Sequence, residues 1–206
     1  MSLFSADNKL IQFIDKYVDF MQLQLMTLIC CLPLLTVGPA YTAKYYTSMK
    51  LARGEAPNVM KSFLKSFKEN FRQGVVLELA AVPAVLIIAV DWYLIGSTHL
   101  GTLTYVLLSV MIAVTFVVST VYAFAFPLLA RYNAGTGMIL KSALTVGMGK
   151  LWVSVLFLLF TVVLVAACIE WIVYGVFVWL IGGAALCWIR SLLLVKVMDD
   201  IEKKES

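Results

Sequence analysis

Residues 151–189 read LWVSVLFLLFTVVLVAACIEWIVYGVFVWLIGGAALCWI, 39 residues with one charged side chain, Glu170. A helix rises 1.5 Å per residue, so this run is about twice what a hydrocarbon core about 30 Å thick needs. It predicts a tight helical hairpin turning near Glu170, with spans at about 151–169 and 172–194. Backbone inside lipid must satisfy its own hydrogen bonds, which helices do within one segment. Two further runs, at about 74–95 and 102–130, predict the same, and Arg131 stops the second. A fifth, at about 18–37, is the weakest: it carries Asp19, Gln22, Gln24 and Thr27 and is interrupted by Pro33 and Gly38-Pro39. A short, tilted or re-entrant helix is open there. The expected fold class is therefore all-α, a polytopic membrane helical bundle with about five transmembrane helices. A single membrane domain covers 1–206, and residues 38–73 form an amphipathic cytoplasmic connector.

The composition agrees. Of 206 residues, 62% are hydrophobic and 14% charged, whereas soluble domains carry about 25% charged residues. The 16 Lys and Arg are sorted along the chain. Seven lie between Val37 and Gly74, three from Arg131 to Lys150 and four from Arg190 onward, while the turn at Gly96–Gly101 has none. Basic loops stay in the cytoplasm, so five spans put the N-terminus outside and the C-terminus inside. Positive charge sorted in this way marks topology and lipid headgroups, not nucleic acid. The expected location is a membrane whose cytoplasmic side carries the basic loops, with the lipid itself as one partner. Met1–Leu10 lacks the basic start and apolar core of a cleavable signal. Cys30, Cys31, Cys168 and Cys187 lie in apolar surroundings without the spacing of a disulfide frame or zinc site, and read as small buried residues.

Between the spans the pattern becomes helical and amphipathic. Asp7–Phe20 places Leu10, Ile11, Ile14, Tyr17 and Val18 on one face. After Gly38-Pro39 a helix is predicted as far as Arg53, then a turn over Gly54–Pro57. Asn58–Arg72 is the clearest amphipathic segment: Met60, Phe63, Leu64, Phe67 and Phe71 share one face, and Lys61, Lys65, Lys68 and Arg72 the other. A connector lying on the membrane and a dedicated docking helix are the two readings. LPLLTV at 32–37 ahead of MKSFL at 60–64 resembles FPLLARY at 126–132 ahead of LKSAL at 140–144, which suggests a parallel repeat of two helical pairs with a fifth helix added.

LPLLTVGPAYTAKYYTSMKLARGE at 32–55 and SFLKSFKENFRQG at 62–74 resemble the YesL family of bacterial membrane proteins. The likeness rests on Pro33, on Thr36, Val37, Gly38, Pro39 and Ala40, on Arg53-Gly54-Glu55, and on Phe63, Phe67, Asn70 and Phe71. FPLLARY and LKSAL look like the family's later signature, so the resemblance extends over essentially the whole chain. It implies a multi-span protein of Gram-positive bacteria, often encoded beside carbohydrate ABC importers and their sensor systems. It brings no catalytic residues.

Glu78, Asp91 and Glu170 are the acids nearest membrane depth, where an ionisable group is costly without a partner. Thirteen residues separate Glu78 from Asp91, roughly 20 Å on a helix, so they form no carboxylate pair. Glu78 is the intramembrane polar candidate, with Arg131 or Arg190 as its partner. His99 stands alone, no nucleophile elbow is readable, and there is no phosphate loop. Gly182-Gly183-Ala184-Ala185 permits close helix packing, within the bundle or at a homodimer seam. Trp92, Tyr93, Trp171 and Tyr174 read as interface anchors. The expectation is a non-enzymatic accessory or interaction protein without catalytic residues, metal or cofactor. It would act with the permease or ATPase subunits of a carbohydrate ABC importer through Lys61, Phe63, Lys65, Phe67, Lys68, Asn70, Phe71 and Arg72. A transporter or channel in its own right is the alternative.

Overall fold

The computed structural model describes residues 3–55, 58–97, 101–132, 134–170 and 175–205; side chains are described for all of these except 3–10, 102, 164–170, 175–181, 201 and 203–205. The expectations for His99, Trp171 and Tyr174, and for the side chains of Cys168 and Glu170, lie outside the described residues. The described residues are all-α, with no strand among them. In chain order they form α1 (Leu3–Cys30), a 3-10 turn at Leu34–Thr36, α2 (Val37–Ala52), α3 (Val59–Glu69), α4 (Phe71–Ser97), α5 (Thr102–Arg131), α6 (Thr136–Gly149), α7 (Leu151–Glu170) and α8 (Gly175–Glu205).

Two of these, α4 and α5, are long and apolar enough to cross a membrane, and a third if α6 and α7, bent by 99° where they meet, count as one span. They are antiparallel. Gln73 at the start of α4 donates to the carbonyl of Ala134 just beyond α5, and Trp92 Nε1 donates to Thr115 Oγ1 at 3.1 Å. Val85, Leu86, Ile87, Val90, Val106 and Val110 face outward. Such a surface is costly in water and suited to lipid. α7 coincides with the first predicted limb of the hairpin and stops at Glu170, whereas α8 runs on to Glu205, past the predicted end at 194.

The first predicted span, 18–37, is not one helix. The predicted amphipathic segment and the first part of that span are fused into α1, which stops at Cys30 ahead of Pro33. The chain then turns, with Thr36 Oγ1 donating to the carbonyls of Cys30 and Pro33. α2 returns along α1, burying Phe20, Leu23, Ala40, Ala43 and Leu51 in one cluster with Val59 and Phe63 of α3. This is a helical hairpin whose tip exposes Leu32, Leu34 and Leu35, with Leu34 83% exposed. The first predicted span is thus broken ahead of Pro33. α1 is also antiparallel to α8, because Phe13 and Phe20 lie on the Trp188 ring (centroids 5.1 and 5.7 Å) while Gln24 sits against Gly183. The start of α1 therefore points towards the C-terminal end of α8.

The connector 38–73 is likewise not a surface element throughout. α2 is buried along most of its length and contacts α1, α3, α4, α5 and α8. Tyr45 and Met49 share a core with Leu77, Phe124, Leu128, Leu129, Phe157 and Leu194. Helices in lipid associate through close contact rather than escape from water, which explains why α2 is rich in small residues. Its end is sealed by Gly54, whose φ of +77° suits glycine, with Gly54 N–H bonded to Leu51 O and Glu55 N–H to Lys50 O. The two sequence-similar gaps occupy unlike elements: LPLLTV is the turn before α2, whereas FPLLAR is the last part of α5. A repeat is visible instead in the order short helix, long helix, long helix over α3–α5 and again over α6–α8.

Candidate functional site

The motif residues meet at one junction, where α2 starts against α4. Gly38 and Gly74 allow the two backbones to touch. A Cβ on Gly74 would lie 2.7 Å from Pro39 N, and one on Gly38 would collide with the Gly74 carbonyl. Pro39 occupies the first turn of α2, where its missing N–H costs nothing. Gly38 N–H is one of the donors that a helix start leaves unmatched, and it donates to Glu78 Oε2 at 3.0 Å. The carboxylate thus faces the positive end of the α2 dipole. Glu78 is a cap, and the expected pairing with Arg131 or Arg190 is not formed. Pro33 breaks the chain before the turn, Thr36 ties the turn to α1, and Ala40 is fully buried beneath α1.

From this junction the chain runs to α3. Asn58 Oδ1 accepts from Lys61 N–H at 3.0 Å and starts the helix. Asn70 ends it, its amide donating to Ser66 O and Oγ. The predicted helix Asn58–Arg72 is thereby divided, and Phe71 and Arg72 open α4. The aromatic series stays continuous across the break: Phe63 stacks on Phe67 at 6.1 Å, and Phe71 meets Phe67 edge-on at 5.5 Å. Among the partner-contact candidates, Phe63 is fully buried, Phe67 and Asn70 are half-buried, and Lys61, Lys65, Lys68, Phe71 and Arg72 are exposed. Met60 and Leu64, predicted to share a face with Phe63 and Phe67, are exposed at 51% and 41% beside the lysines. The outer face of α3 is therefore mixed basic and apolar.

The basic segments converge at one end of the bundle. Arg131, its side chain 13% exposed, pairs with Asp199 at 2.9 Å and Glu202 at 2.8 Å. Arg53 reaches Asp199 at 3.6 Å, Lys150 reaches Asp200 at 3.2 Å, and Tyr132 OH donates to Glu202. These contacts bind the end of α8 to α2, α5 and the α6–α7 corner.

Reading the sequence missed Lys44 and offered Arg190 only as a partner for Glu78. Lys44 is buried, with its Nζ 5.5 Å from the centre of the Tyr41 ring. Arg190 lies on α8 against α7, donating to Phe157 O and Thr161 Oγ1, both at 2.6 Å, with its guanidinium over the Phe157 ring. Phe157 in turn stacks on Phe124, seven residues before Arg131 and so roughly 10 Å up the helix. Arg190 is thus well inside the bundle. Its signal in the sequence was the apolar run that resumes after it, Leu192–Val195. It borders a half-open cavity of about 620 Å³ between α5 and α7, floored by Val37, Tyr41 and Tyr45 of α2. Of the glycine cluster, only Gly183 is closely packed, against Gln24; a Cβ on Gly182 would meet nothing among the described residues. No group of three or more potential metal ligands occurs among the described residues.

An all-α chain with two or three helices fit to cross a membrane, built around a glycine-sealed helix junction, is the class that this geometry defines. A family model described as protein of unknown function, DUF624, matches residues 20–92, and DUF624 is the family of YesL-like proteins. The match spans α1 from Phe20, the junction, α3 and most of α4, and does not include FPLLARY or LKSAL. No curated protein and no solved structure matches the chain.

Proposed function

We propose that this chain is a YesL-like, non-enzymatic protein of the bacterial plasma membrane that serves a carbohydrate ABC importer as an accessory subunit. The outward face of α3 is the surface that meets the permease or ATPase subunits. The observation that carries this reading is a capped helix with an exposed face of mixed basic and apolar side chains. α3 is capped at Asn58, anchored by Phe63 and closed by Asn70, and still presents Met60 and Leu64 between Lys61, Lys65 and Lys68. Basic side chains steer such a face to an acidic surface, and the apolar ones hold it there.

The basic end of the bundle, with the α3 face, would lie in the cytoplasm. Affinity purification from native membranes in mild detergent tests the reading. Importer subunits are expected to accompany the wild type and to be lost from Lys61→Glu/Lys65→Glu. Recovery of no importer subunit with the wild type rejects the reading, and equal recovery with the variant removes α3 from the contact. A second reading, a carrier of small molecules, draws on the cavity beside Arg190. Carbohydrate flux into proteoliposomes that Arg190→Gln abolishes would favour it.

A further inference from the structure

Two of the residues that line the cavity beside Arg190 each carry a buried polar atom with no partner among the described residues. Thr120 is 2% exposed and its Oγ1 makes no hydrogen bond. Arg190 Nε is buried and also unmatched, although the same guanidinium donates twice through its other nitrogen, Nη2. Both residues line the cavity, together with Ser119 and the phenol rings of Tyr41, Tyr45 and Tyr122. None of its described lining residues is acidic. Guanidinium nitrogens only donate, and a hydroxyl inside lipid needs a partner. The chemistry that answers this set is an anion rich in acceptor oxygens.

The shape of the space adds an apolar body to that anion. A second cavity of about 340 Å³ lies between α4 and α5, walled by Ala81, Val85, Ile88 and Val118. It shares Thr115, Ser119, Tyr122 and Phe126 with the first, so the polar chamber and the apolar slot have a common wall. Val85 faces outward, which opens the slot towards the lipid. We infer that the two cavities together form a binding site for an acidic amphiphile that enters from the membrane. Its headgroup would take the Arg190 and Thr120 donors, and its acyl chain would lie in the α4–α5 slot. This inference rests on neither the α3 contact nor the importer.

The full chain, purified and placed in phosphatidylcholine nanodiscs, tests it with two probes, phosphatidylglycerol and radiolabelled oleate. At least one is expected to bind at about one per chain. Arg190→Gln should weaken that binding at least tenfold, Arg190→Lys should restore part of it, and Lys141→Gln on the exposed face of α6 should not change it. Thr120→Val decides between a binding role and a purely structural one. It keeps the methyl group that abuts Gly147 and removes a hydroxyl that bonds to nothing, so it should fold as the wild type does and bind several-fold more weakly. Binding of phosphatidylglycerol alone assigns a phosphodiester headgroup, and binding of oleate alone a carboxylate. The inference is overturned if neither probe binds, if folded Thr120→Val and Arg190→Gln both bind as the wild type does, or if inorganic phosphate displaces the probe as readily as unlabelled lipid.

Discussion

Single atoms decide the start of α2. Gly38 and Gly74 are fixed by contact, since either Cβ would have to enter the backbone of the facing helix. Overpacking of this kind costs about 1–3 kcal/mol. Gly74→Ala is therefore expected to lower the melting temperature in detergent by several degrees, whereas Gly182→Ala, with open space around it, should leave it nearly unchanged. Glu78→Ala removes the acceptor for Gly38 N–H and is expected to cost about 1 kcal/mol, as lost helix caps do. Glu78→Gln keeps an acceptor oxygen and loses only the charge facing the helix dipole, so it should cost less. Thermal unfolding of the four variants beside the wild type checks this order. An equal effect of Glu78→Gln and Glu78→Ala would mean that charge, not the hydrogen bond, is what α2 requires. The sequence marked these residues through a motif and through the oddity of an acid near a span. It could not show that Glu78 reaches Gly38, because the two are 40 positions apart and no local pattern encodes that contact.

At the level of elements, periodicity identified what depends on neighbours in sequence and failed where packing partners decide. α4 and α5 were legible because an unbroken apolar run has one stable form in lipid. The hairpin near Glu170 was legible from length alone. α2 was read as a connector because its polar residues, among them Thr42, Lys44, Thr47 and Ser48, suggest a wet face. All four are instead buried, Thr42 and Ser48 through bonds to backbone carbonyls and Lys44 over an aromatic ring. The boundary of α3 was missed for a related reason: Asn70 interrupts a helix pattern that continues on both sides of it. Its amide bonds to Ser66 let α4 leave in a new direction. Asn70→Leu removes the amide that holds the break and should favour a continuous helix from Asn58 into α4. The α3 face would then swing away from α2, exposing Phe63. Faster labelling of a cysteine at Ser62, half-buried in the native fold, would record it. Unchanged labelling would show that the Phe63–Phe67–Phe71 stack alone holds the angle.

At the scale of the whole molecule, the sorted charge has a simpler account than five crossings allow. Five spans left Lys9 and Lys16 on the side away from the other basic segments. Because α1 runs antiparallel to α8 and turns back as α2, its start lies at the end where Arg53, Arg131 and Lys150 meet Asp199, Asp200 and Glu202. The start of α1 and the described ion pairs thus gather at one end of the bundle, as cytoplasmic loops would. The prediction that follows is that the α1–α2 hairpin enters and leaves the membrane at that end, and that this end is cytoplasmic. Scanning with an impermeant maleimide, in a chain freed of its four native cysteines, tests this directly. Gln12→Cys and Lys196→Cys are expected to label only when the cytoplasmic side is opened, and Ser97→Cys from outside in intact cells. Labelling of Gln12→Cys together with Ser97→Cys would restore five crossings, and α1 would then have to part from α8. That arrangement requires Phe13 and Phe20 to leave the Trp188 ring and Gln24 to leave Gly183, so the same result would also appear as the loss of any disulfide between cysteines placed at Gln24 and Gly183.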